Sequence, residues 1–310
     1  MRAASIGECM IELSEMPDRL FSRAYGGDTL NTAIYMARLG VEVDYVTALG
    51  DDQWSDEMLA GWRAEGVGTE LVVRLPGRVP GLYIIQTDPS GERRFHYWRD
   101  SAPARQLFTI AETPTVVAAL SHYDLIFFSG ITLSLYGEAG RTVFFEAIDR
   151  ARARGARIAF DTNFRPRGWP DRDLARAAFR EAFERSDIVL ASSEDLTLFG
   201  SDADLTGMTR PATELVMKQA EPACRVVAPD GTDRMVAAKP VARVVDTTAA
   251  GDSFAAAYLA SRLAGASPVA AAEAGHTLAG VVVGYPGAII PRSAMPDTLS
   301  SNDVSGGRDA

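Results

Sequence analysis

Residues 244–260 read VVDTTAAGDSFAAAYLA, and this stretch decides how the rest of the chain is interpreted. An apolar strand ends near Asp246, small residues follow, and an alanine-rich helix begins near Asp252. Because the turn 249–251 carries no bulky side chain, an anion can approach its backbone N–H groups, where the helix dipole also favours negative charge. Asp252 is then placed to accept a proton from a substrate hydroxyl. The alternative is that Asp252 only caps the helix and that the small residues only permit close packing.

Composition excludes several classes of protein. The 310 residues carry 31 Lys and Arg against 41 Asp and Glu, and the formal net charge of −10 opposes binding to nucleic acid or anionic membranes. No apolar run approaches the ~18 residues that a membrane helix requires. Glu8 and Glu12 interrupt the segment where a signal peptide needs an apolar core, and Cys9 and Cys224 cannot form a disulfide framework. We therefore expect a cytoplasmic protein without nucleic-acid or membrane partners.

Familiar catalytic motifs are absent from the sequence. The only lysines, Lys218 and Lys239, lie in neither a GxxxxGK[ST] phosphate loop nor a VAIK-like strand. The sequence contains no GxGxxG dinucleotide motif and no GxSxG nucleophile elbow, and its histidines and cysteines lack zinc spacing. An enzyme with this sequence must work without those motifs.

Strand and helix candidates alternate along the chain, which predicts an α/β fold with a parallel sheet and helices on both faces. The apolar strand candidates lie at 3–12, 43–49, 124–129, 156–161, 187–191 and 223–228. The amphipathic helix candidates lie at 31–39, 53–65, 135–154, 172–185, 211–220, 252–264 and 268–283. Residues 71–99 break the alternation with consecutive strands around the turn 88–91, which predicts a separate hairpin or an antiparallel edge. The polar segment 297–310 is expected to be disordered.

A second candidate binding segment is GGDTLNTAIYMARLG, residues 26–40. Gly26 and Gly27 let the backbone touch a ligand, while Asp28 and Asn31 offer polar contacts to hydroxyl groups. The alternative is a capped helix that follows a flexible turn.

A third candidate is FHYWR, residues 95–99, in the predicted hairpin. Strand alternation places Tyr97 and Arg99 on one face, and Tyr83 of the partner strand can lie beside them. An arginine beside two tyrosines suits a small hydroxylated anion, because the guanidinium binds a carboxylate at two points. The alternative is a solvated strand face with a surface ion pair.

Two further segments follow predicted strands, where open α/β sheets bind ligands. DTNFRPRGW (161–169) would project Asn163, Arg165 and Arg167, and the carboxylates of SSED (192–195) can help to hold hydrated Mg²⁺. The alternatives are a charged surface loop and a helix cap.

Taken together and in this order, the five segments resemble the PfkB (ribokinase-like) carbohydrate kinases over about residues 3–296. GG(x)₃N and DTTxAGDSF are the family motifs, and the similarity is closest to the branch that acts on 2-keto-3-deoxygluconate. The blocks that carry this closer similarity are GECMIELSE, GGDTLNT, YVTALGDD, PGLYIIQTDPSGERRFHYWR and GAIIPRSAMP. The resemblance implies one kinase domain over 1–296, a three-layer α/β/α sandwich with a small β-sheet lid from about 10–25 and 71–100.

The resemblance also implies a reaction. ATP with Mg²⁺ would donate its γ-phosphoryl group to the 6-hydroxyl of 2-dehydro-3-deoxy-D-gluconate, in sugar-acid catabolism of the Entner–Doudoroff type. A monovalent cation and a homo-oligomer formed through the lid are further expectations. The alternatives are another PfkB kinase for ribose or fructose, or a sugar-acid-binding homologue that has lost the use of ATP.

Residue roles follow from the resemblance. It makes Asp252 the base and places an anion hole on the amides of Ala249, Ala250, Gly251 and Asp252. The implied substrate contacts are Gly26, Gly27, Asp28, Asn31, Tyr83, Tyr97, Arg99, Arg165 and Asp252, with Arg99 and Arg165 on the carboxylate. The implied nucleotide contacts are Asn163, Ser192, Gly231, Ala249, Gly251 and His276, and the implied metal ligand is Asp195.

Three departures from the family pattern carry expectations of their own. Ala249 stands where most of the family has glycine, and Ser192-x-x-Asp195 stands where the family has NxxE. The ATP-loop strand usually ends in Lys-Gly or Leu-Gly, and here residues 226–231 read VVAPDG. Pro229 and Asp230 would then disturb the path of the phosphates and weaken ATP binding.

Overall fold

A nine-stranded sheet runs through this computed structural model, which describes residues 1–87, 93–200 and 205–297. In spatial order its strands are β13 (Asp233–Ala237), β12 (Ala223–Val227), β11 (Glu214–Lys218), β10 (Ile188–Ser192), β9 (Arg157–Asp161), β8 (Leu125–Ser129), β1 (Arg2–Ile6), β4 (Glu42–Gly50) and β5 (Val72–Leu75). Every pairing from β11 to β5 is parallel, and both pairings of β12 are antiparallel. The carboxyl ends of the parallel strands therefore share one edge of the sheet.

Helices cover both faces of this sheet. They are α1 (Asp28–Arg38), α2 (Gln53–Ala64), α3 (Thr113–Leu120), α4 (Gly130–Leu135), α5 (Glu138–Ala153), α6 (Arg172–Arg185), α7 (Ala250–Leu263) and α8 (Pro268–Val282). One buried apolar cluster joins the sheet to α3–α6, and the other joins it to α1, α2, α7 and α8. Phe127 and Phe128 of β8 point into different clusters, because successive side chains of a strand face opposite sides. The predicted α/β/α sandwich is confirmed.

A second, four-stranded sheet has the order β3 (Phe21–Gly26), β2 (Met10–Glu15), β6 (Leu82–Thr87) and β7 (Arg93–Trp98). The strand predicted over 3–12 is divided between β1 of the large sheet and β2 of the small one. The segment predicted as lid over 71–100 is divided too, because β5 pairs with β4 at the edge of the large sheet. The turn 88–91 and the predicted disordered residues 298–310 lie outside the described residues.

The helix predicted over 211–220 is wrong, because that segment contains strand β11. The apolar run of this segment is short, and such runs do not distinguish a strand from a buried helix by periodicity. Glu214 is a charged residue within this strand. It is buried, and it forms an ion pair of 2.8 Å with Arg262 of α7. The helix predicted over 135–154 corresponds to α5, and the separate short helix α4 ends at Leu135.

Two further observations bear on the class of protein. Within the described ranges, none of the helices combines the length and the apolarity that crossing a membrane would require. Cys9 and Cys224 are both buried free thiols.

Candidate active site

The carboxyl ends of three neighbouring strands bring charged and polar side chains together. Asp161 ends β9, Ser192 ends β10 and Lys218 ends β11, and the register pairs Asp161 with Leu190 and Ser192 with Lys218. Helices α1 and α7 begin over the same edge, since their first turns contact each other and the segment after β9. This edge is where an open α/β sheet binds its ligands.

Asp252 lies in the first turn of α7 and faces α1. Its Oδ2 atom accepts a hydrogen bond of 2.9 Å from Nδ2 of Asn31. Burial, followed by the negative charges of Asp28 and Asp161, raises the pKa of Asp252 to about 7, against the opposing effects of the Asn31 bond and Lys218. The side chain keeps part of its surface exposed, so a substrate hydroxyl can reach it. A carboxylate with this pKa is suited to proton transfer at neutral pH.

The backbone before Asp252 forms a tight turn. Ala249 has φ 59° and ψ 14°, in the left-handed region that favours glycine. The Asp246 side chain stabilises the turn by accepting hydrogen bonds of 2.9 and 2.7 Å from the amide and the hydroxyl of Thr248. The Ala250 amide donates to the Thr247 carbonyl at 3.2 Å. Among the hydrogen bonds of the described residues, none uses the amides of Ala249, Gly251 or Asp252.

Asp28, in the first turn of α1, is held by Asn163. Nδ2 of Asn163 donates to Oδ2 of Asp28 at 2.7 Å. Asn163 has a positive φ of 23°, and its amide donates to Oδ1 of Asp161 at 3.2 Å. The predicted nucleotide residue Asn163 and the predicted substrate residues Asp28 and Asn31 thus lie in one continuous network with Asp252.

Lys218 belongs to the same network, although it is absent from the predicted site. Its Nζ atom lies 3.0 Å from Oδ2 of Asp161. Burial raises the pKa of Asp161, and the nearby Lys218 charge opposes that rise. Lys218 is followed by Gln219, so the family's Lys-Gly ending does not mark it; the signal that could have revealed it is its place at the end of a strand, once 214–218 is recognised as one.

The prediction of Gly231 as a nucleotide contact is wrong. Because β12 is antiparallel to β11, Val227 pairs with Leu215 and the turn 228–232 lies at the amino edge of the sheet, opposite Lys218. Gly231 closes that turn with φ 89°. Pro229 and Asp230 therefore lie away from the candidate phosphate site, and the expected weakening of ATP binding by these residues loses its basis.

His276 lies on α8, close to the first turns of α7. Its Nε2 atom lies 3.1 Å from the carbonyl oxygen of Val236, and its ring packs edge-on against Phe254 at 5.0 Å between centroids. Burial lowers the pKa of His276. These contacts hold the ring against the first turns of α7.

Ser192 and Asp195 form a capping turn. The Asp195 amide donates to Oγ of Ser192 at 3.1 Å, and Oδ2 of Asp195 accepts a bond of 2.7 Å from the Thr162 hydroxyl. Within the described part of the chain, no three His, Cys, Asp or Glu side chains are grouped to hold a metal ion. Asp195 is therefore one carboxylate beside the strand ends, without a preformed metal cage around it.

The small sheet contributes a second set of side chains. Tyr83 donates a hydrogen bond to Glu12 and packs against Tyr97 with 5.8 Å between ring centroids. A Cβ atom on Gly26 would lie 2.2 Å from the Tyr83 hydroxyl, so this close approach requires glycine. Burial, followed by the charge of Glu12, raises the pKa of Tyr83.

Arg99 is less free than the sequence predicts. Its Nη2 atom forms an ion pair with Oε2 of Glu8, whose side chain is 1% exposed. Arg165 is 61% exposed on its side chain and lies 3.9 Å from Oδ1 of Asp195. Both guanidinium charges, together with that of Arg167, act on the half-exposed hydroxyl of Tyr97. A region of positive charge therefore lies between the small sheet and the loop after β9.

A partly buried carboxylate beside helix amides, at the carboxyl edge of a parallel sheet and next to a second small sheet, is an arrangement suited to phosphoryl transfer. The family model described as "pfkB family carbohydrate kinase" matches residues 2–295, and this chain belongs to that family. The resemblance identified from the sequence motifs is thereby confirmed.

Individual relatives show which members of the family this chain is similar to. The chain is 41% identical over 304 residues to 2-dehydro-3-deoxygluconokinase of Dickeya dadantii (strain 3937), covering 94% of this chain and 98% of that protein. The crystal structure of 2-dehydro-3-deoxygluconokinase from Thermotoga maritima superposes with a TM-score of 0.81 at 22% identity, over 97% of this chain and 100% of that one. Fructokinase with bound ATP from Xylella fastidiosa superposes with a TM-score of 0.81 at 25% identity, over 95% of each chain.

Proposed function

We propose that this protein transfers the γ-phosphoryl group of ATP to the 6-hydroxyl of 2-dehydro-3-deoxy-D-gluconate, giving the 6-phosphate and ADP. The observation that carries the proposal is the Asn31–Asp252 hydrogen bond, which holds a carboxylate at the amide turn of α7. The similarity to 2-dehydro-3-deoxygluconokinase over nearly the whole chain supports the choice of substrate.

The proposed step needs little covalent participation by the protein. The sugar oxygen attacks the γ-phosphorus in line, the bond from that phosphorus to the bridging oxygen of ADP breaks, and Asp252 takes the hydroxyl proton. The amides of Ala249, Gly251 and Asp252, at the positive end of the α7 dipole, stabilise the negative charge of the phosphoryl group. The raised pKa of Asp252 makes it a stronger base than an ordinary aspartate once it is ionised.

Mg²⁺ would accompany the nucleotide. Mg²⁺ prefers a few carboxylates together with phosphate oxygens and water, so a single neighbouring carboxylate is sufficient. Asp195 fits that role, because it lies at the strand-end edge and Arg165 approaches only to 3.9 Å. When bound, the ion would neutralise phosphate charge. A requirement for a monovalent cation is part of the same proposal and is tested by activity with and without K⁺.

The carboxylate of the sugar acid is proposed to bind between Tyr97, Arg99 and Arg165. This is the positively charged region described above, in a protein whose net charge is −10. The small sheet would then act as a lid over the sugar, with Tyr83 and Tyr97 facing it. Closure of such a lid excludes water, which would otherwise compete as the phosphoryl acceptor.

A neutral hexose such as fructose is the second candidate substrate. The observation that favours it is the Glu8–Arg99 pair, which already neutralises one of the two arginines expected to bind a carboxylate. The sequence VVAPDG at 226–231, which was expected to weaken ATP binding, lies at the opposite edge of the sheet and so gives no support to a homologue that has lost the use of ATP.

ATP turnover with a panel of sugars tests the proposal. The purified protein would be given 2-dehydro-3-deoxy-D-gluconate, fructose and ribose in turn, with ADP release coupled to NADH oxidation. We expect the highest kcat/KM for the keto-deoxy acid and a ³¹P signal coupled to its C6 protons. A higher kcat/KM for fructose or ribose would overturn the substrate assignment, and sugar-acid binding without ADP release would overturn the kinase assignment.

Assembly and location belong to the proposal as well. Trp98 leaves 59% of its surface exposed on the face of β7 opposite Tyr97, and we propose that two copies pair through that face of the small sheet. Sedimentation velocity of Trp98→Glu should show a smaller particle than wild type. Met235→Glu, at a 61% exposed methionine on β13, serves as the control, and equal masses for all three proteins would exclude this dimer.

Because its proposed co-substrate is ATP, we place the enzyme in the cytoplasm.

A further inference from the structure

Three arginines act on one hydroxyl at the place where the small sheet meets the loop after β9. Burial raises the pKa of the Tyr97 hydroxyl, and three guanidinium charges oppose that rise, those of Arg99, Arg165 and Arg167. Tyr97 is 44% exposed, so a ligand can reach its ring. A carboxylate that binds here would be attracted most by a cation that has no counter-ion of its own.

Two of the three guanidinium groups already have anionic neighbours. Nη2 of Arg99 forms an ion pair with Glu8, and the two side chains are 17% and 1% exposed. Nη1 of Arg165 donates a hydrogen bond of 2.9 Å to the carbonyl oxygen of Phe164 and lies 3.9 Å from Oδ1 of Asp195. The charge of Arg99 is thus offset inside the protein, and Arg165 is directed toward the strand-end edge of the large sheet.

Arg167 differs from both. It is exposed, and no hydrogen bond or ion pair within residues 1–87, 93–200 and 205–297 uses its guanidinium. Of the three cations around Tyr97, it is therefore the one whose charge is not offset by a carboxylate of the described chain. An arginine in this state keeps five N–H donors, in a planar fork, for an incoming carboxylate.

The backbone that carries Arg167 is held in place. The residue lies in the short 3₁₀ turn Pro166–Gly168, whose proline fixes φ. A Cβ atom on Gly168 would lie 2.8 Å from Oγ of Ser134, so the turn packs closely against α4. The next residue, Trp169, is 8% exposed and packs against α6. The long side chain of Arg167 thus starts from a fixed main-chain position.

We infer that Arg167 is a further specificity-determining residue, whose guanidinium binds the carboxylate of the sugar acid together with Arg99 and Arg165. The inference rests on the proposed function. A neutral sugar has no group that would use this charge, so Arg167 favours the acid over fructose. The contact is non-covalent and leaves the phosphoryl transfer itself unchanged.

The chemistry of the substrate agrees with this placement. The keto-deoxy acid carries its carboxylate at C1 and the phosphoryl-accepting hydroxyl at C6, so the two groups lie at opposite ends of one carbon chain. The charged groups that most affect the proposed base Asp252 are Asp28, Asp161 and Lys218. The three arginines near Tyr97 therefore suit the C1 end while C6 faces the base.

The test replaces an exposed arginine that has no ion pair within the described chain, so the fold is expected to survive it. Arg167→Gln removes the charge, and Arg167→Lys retains a charge without the fork. Arg172→Gln is the matched control at another exposed arginine, on α6. For each protein we would measure the thermal midpoint, kcat and KM for 2-dehydro-3-deoxy-D-gluconate and for fructose. The Kd of the acid without ATP would be measured by calorimetry at low and at high ionic strength.

We expect Arg167→Gln to raise KM and Kd for the acid by about 10-fold, the lower part of the range for losing a hydrogen bond to a charged group. The kcat for the acid, the KM for fructose and the thermal midpoint should change little. Added salt should weaken binding of the acid less in this variant than in wild type, since salt screens exposed charges. Arg167→Lys should recover part of the affinity, and Arg172→Gln should match wild type.

Two results would overturn the inference. One is an unchanged KM and Kd for the acid in Arg167→Gln. The other is an equal increase in KM for the acid and for fructose, because Arg167 would then serve only the structure of its turn.

Failure of this inference and failure of the proposed function are distinguishable. If the wild-type protein prefers fructose or ribose, or phosphorylates none of the sugars, the proposed function fails, and the calorimetric comparison still reports whether Arg167 binds the acid. If the wild type prefers the acid and Arg167→Gln matches it in both KM and Kd, only the role of Arg167 is lost.

Discussion

Asn31 donates a hydrogen bond of 2.9 Å from its Nδ2 atom to Oδ2 of Asp252, 221 residues further along the chain. This bond joins the first turns of α1 and α7, and so it couples the segment GGDTLNT to the segment DTTAAGDSF. It stabilises the ionised carboxylate, in opposition to burial and to the charges of Asp28 and Asp161. The two family motifs are therefore joined at the candidate site, where Asn31 of the first motif orients Asp252 of the second, the proposed base.

Replacing the base tests that account directly. We expect Asp252→Asn to lower kcat by ~10²–10⁴-fold, the usual contribution of a positioned general base. The Kd of the sugar acid should change little, because the amide keeps the shape and an acceptor for Asn31. Asp173→Asn, at an 89% exposed side chain on α6, is the control. Steady-state kinetics and calorimetry would check the result, and an unchanged kcat would remove Asp252 from the mechanism.

The pKa of Asp252 predicts how activity depends on pH. The carboxylate must be ionised to take a proton, and its pKa is raised to about 7, so kcat/KM should rise with pH through a midpoint near that value. Asn31→Leu removes a hydrogen bond that favours ionisation and should therefore move the midpoint to higher pH. A pH–rate profile of both proteins between pH 5 and pH 9 checks this. A midpoint that stays in place or moves down in the variant would contradict the role of Asn31.

Folding stability should depend on pH in the opposite direction. The folded-state pKa of Asp252 lies above its unfolded value of ~3.9, so the folded protein binds the proton more tightly. The resulting stabilisation is complete below the unfolded pKa and is lost as pH rises through about 7. Urea unfolding of the nucleotide-free protein should give a lower free energy of unfolding at pH 8 than at pH 5. The decrease should be smaller in Asp252→Asn, and equal decreases would show that other groups cause it.

Local patterns in the sequence predicted the parts of the fold that depend on local structure. The apolar run that became β8 and the small-residue turn before α7 are readable within one segment. The edge of the sheet at which a residue lies cannot be read from one segment, because it depends on strand direction. The assignment of β11 as a helix therefore placed Gly231 at the wrong edge and left Lys218 unnoticed. The pairing of Glu8, between β1 and β2, with Arg99, just after β7, likewise depends on tertiary contacts that spacing does not contain.

Arg99 is predicted to select for the acid substrate. Loss of a hydrogen bond to a charged group typically costs about 1.5–3 kcal/mol, so Arg99→Ala should raise KM for the sugar acid by ~10–150-fold. KM for fructose should change far less. Arg94→Ala is the matched control, because Arg94 lies on the opposite face of β7 by strand alternation. KM values for both sugars in the three proteins check this prediction.

The Arg99 experiment needs a second variant because Arg99 also neutralises the buried Glu8. Removing one partner of a buried ion pair leaves an uncompensated charge and destabilises the fold. Glu8→Gln/Arg99→Ala removes both charges and should regain the thermal midpoint while the high KM for the acid remains. A double variant with wild-type KM for the acid would show that Arg99 serves the fold and not the carboxylate.

The left-handed backbone at Ala249 predicts a stabilising substitution. At φ 59°, an alanine Cβ crowds the following carbonyl, which costs roughly 1–2 kcal/mol relative to glycine. Glycine loses about 0.4–1 kcal/mol through its freer unfolded state, so Ala249→Gly should raise the free energy of unfolding by up to about 1.6 kcal/mol. Ala250→Gly, one residue later inside α7, should lower it, since no strain is relieved there. Urea unfolding of the two variants provides the comparison.

The free amide of residue 249 is retained in Ala249→Gly, so kcat should stay within a few-fold of wild type. A loss of stability in this variant would show that the turn does not hold Ala249 in the left-handed region.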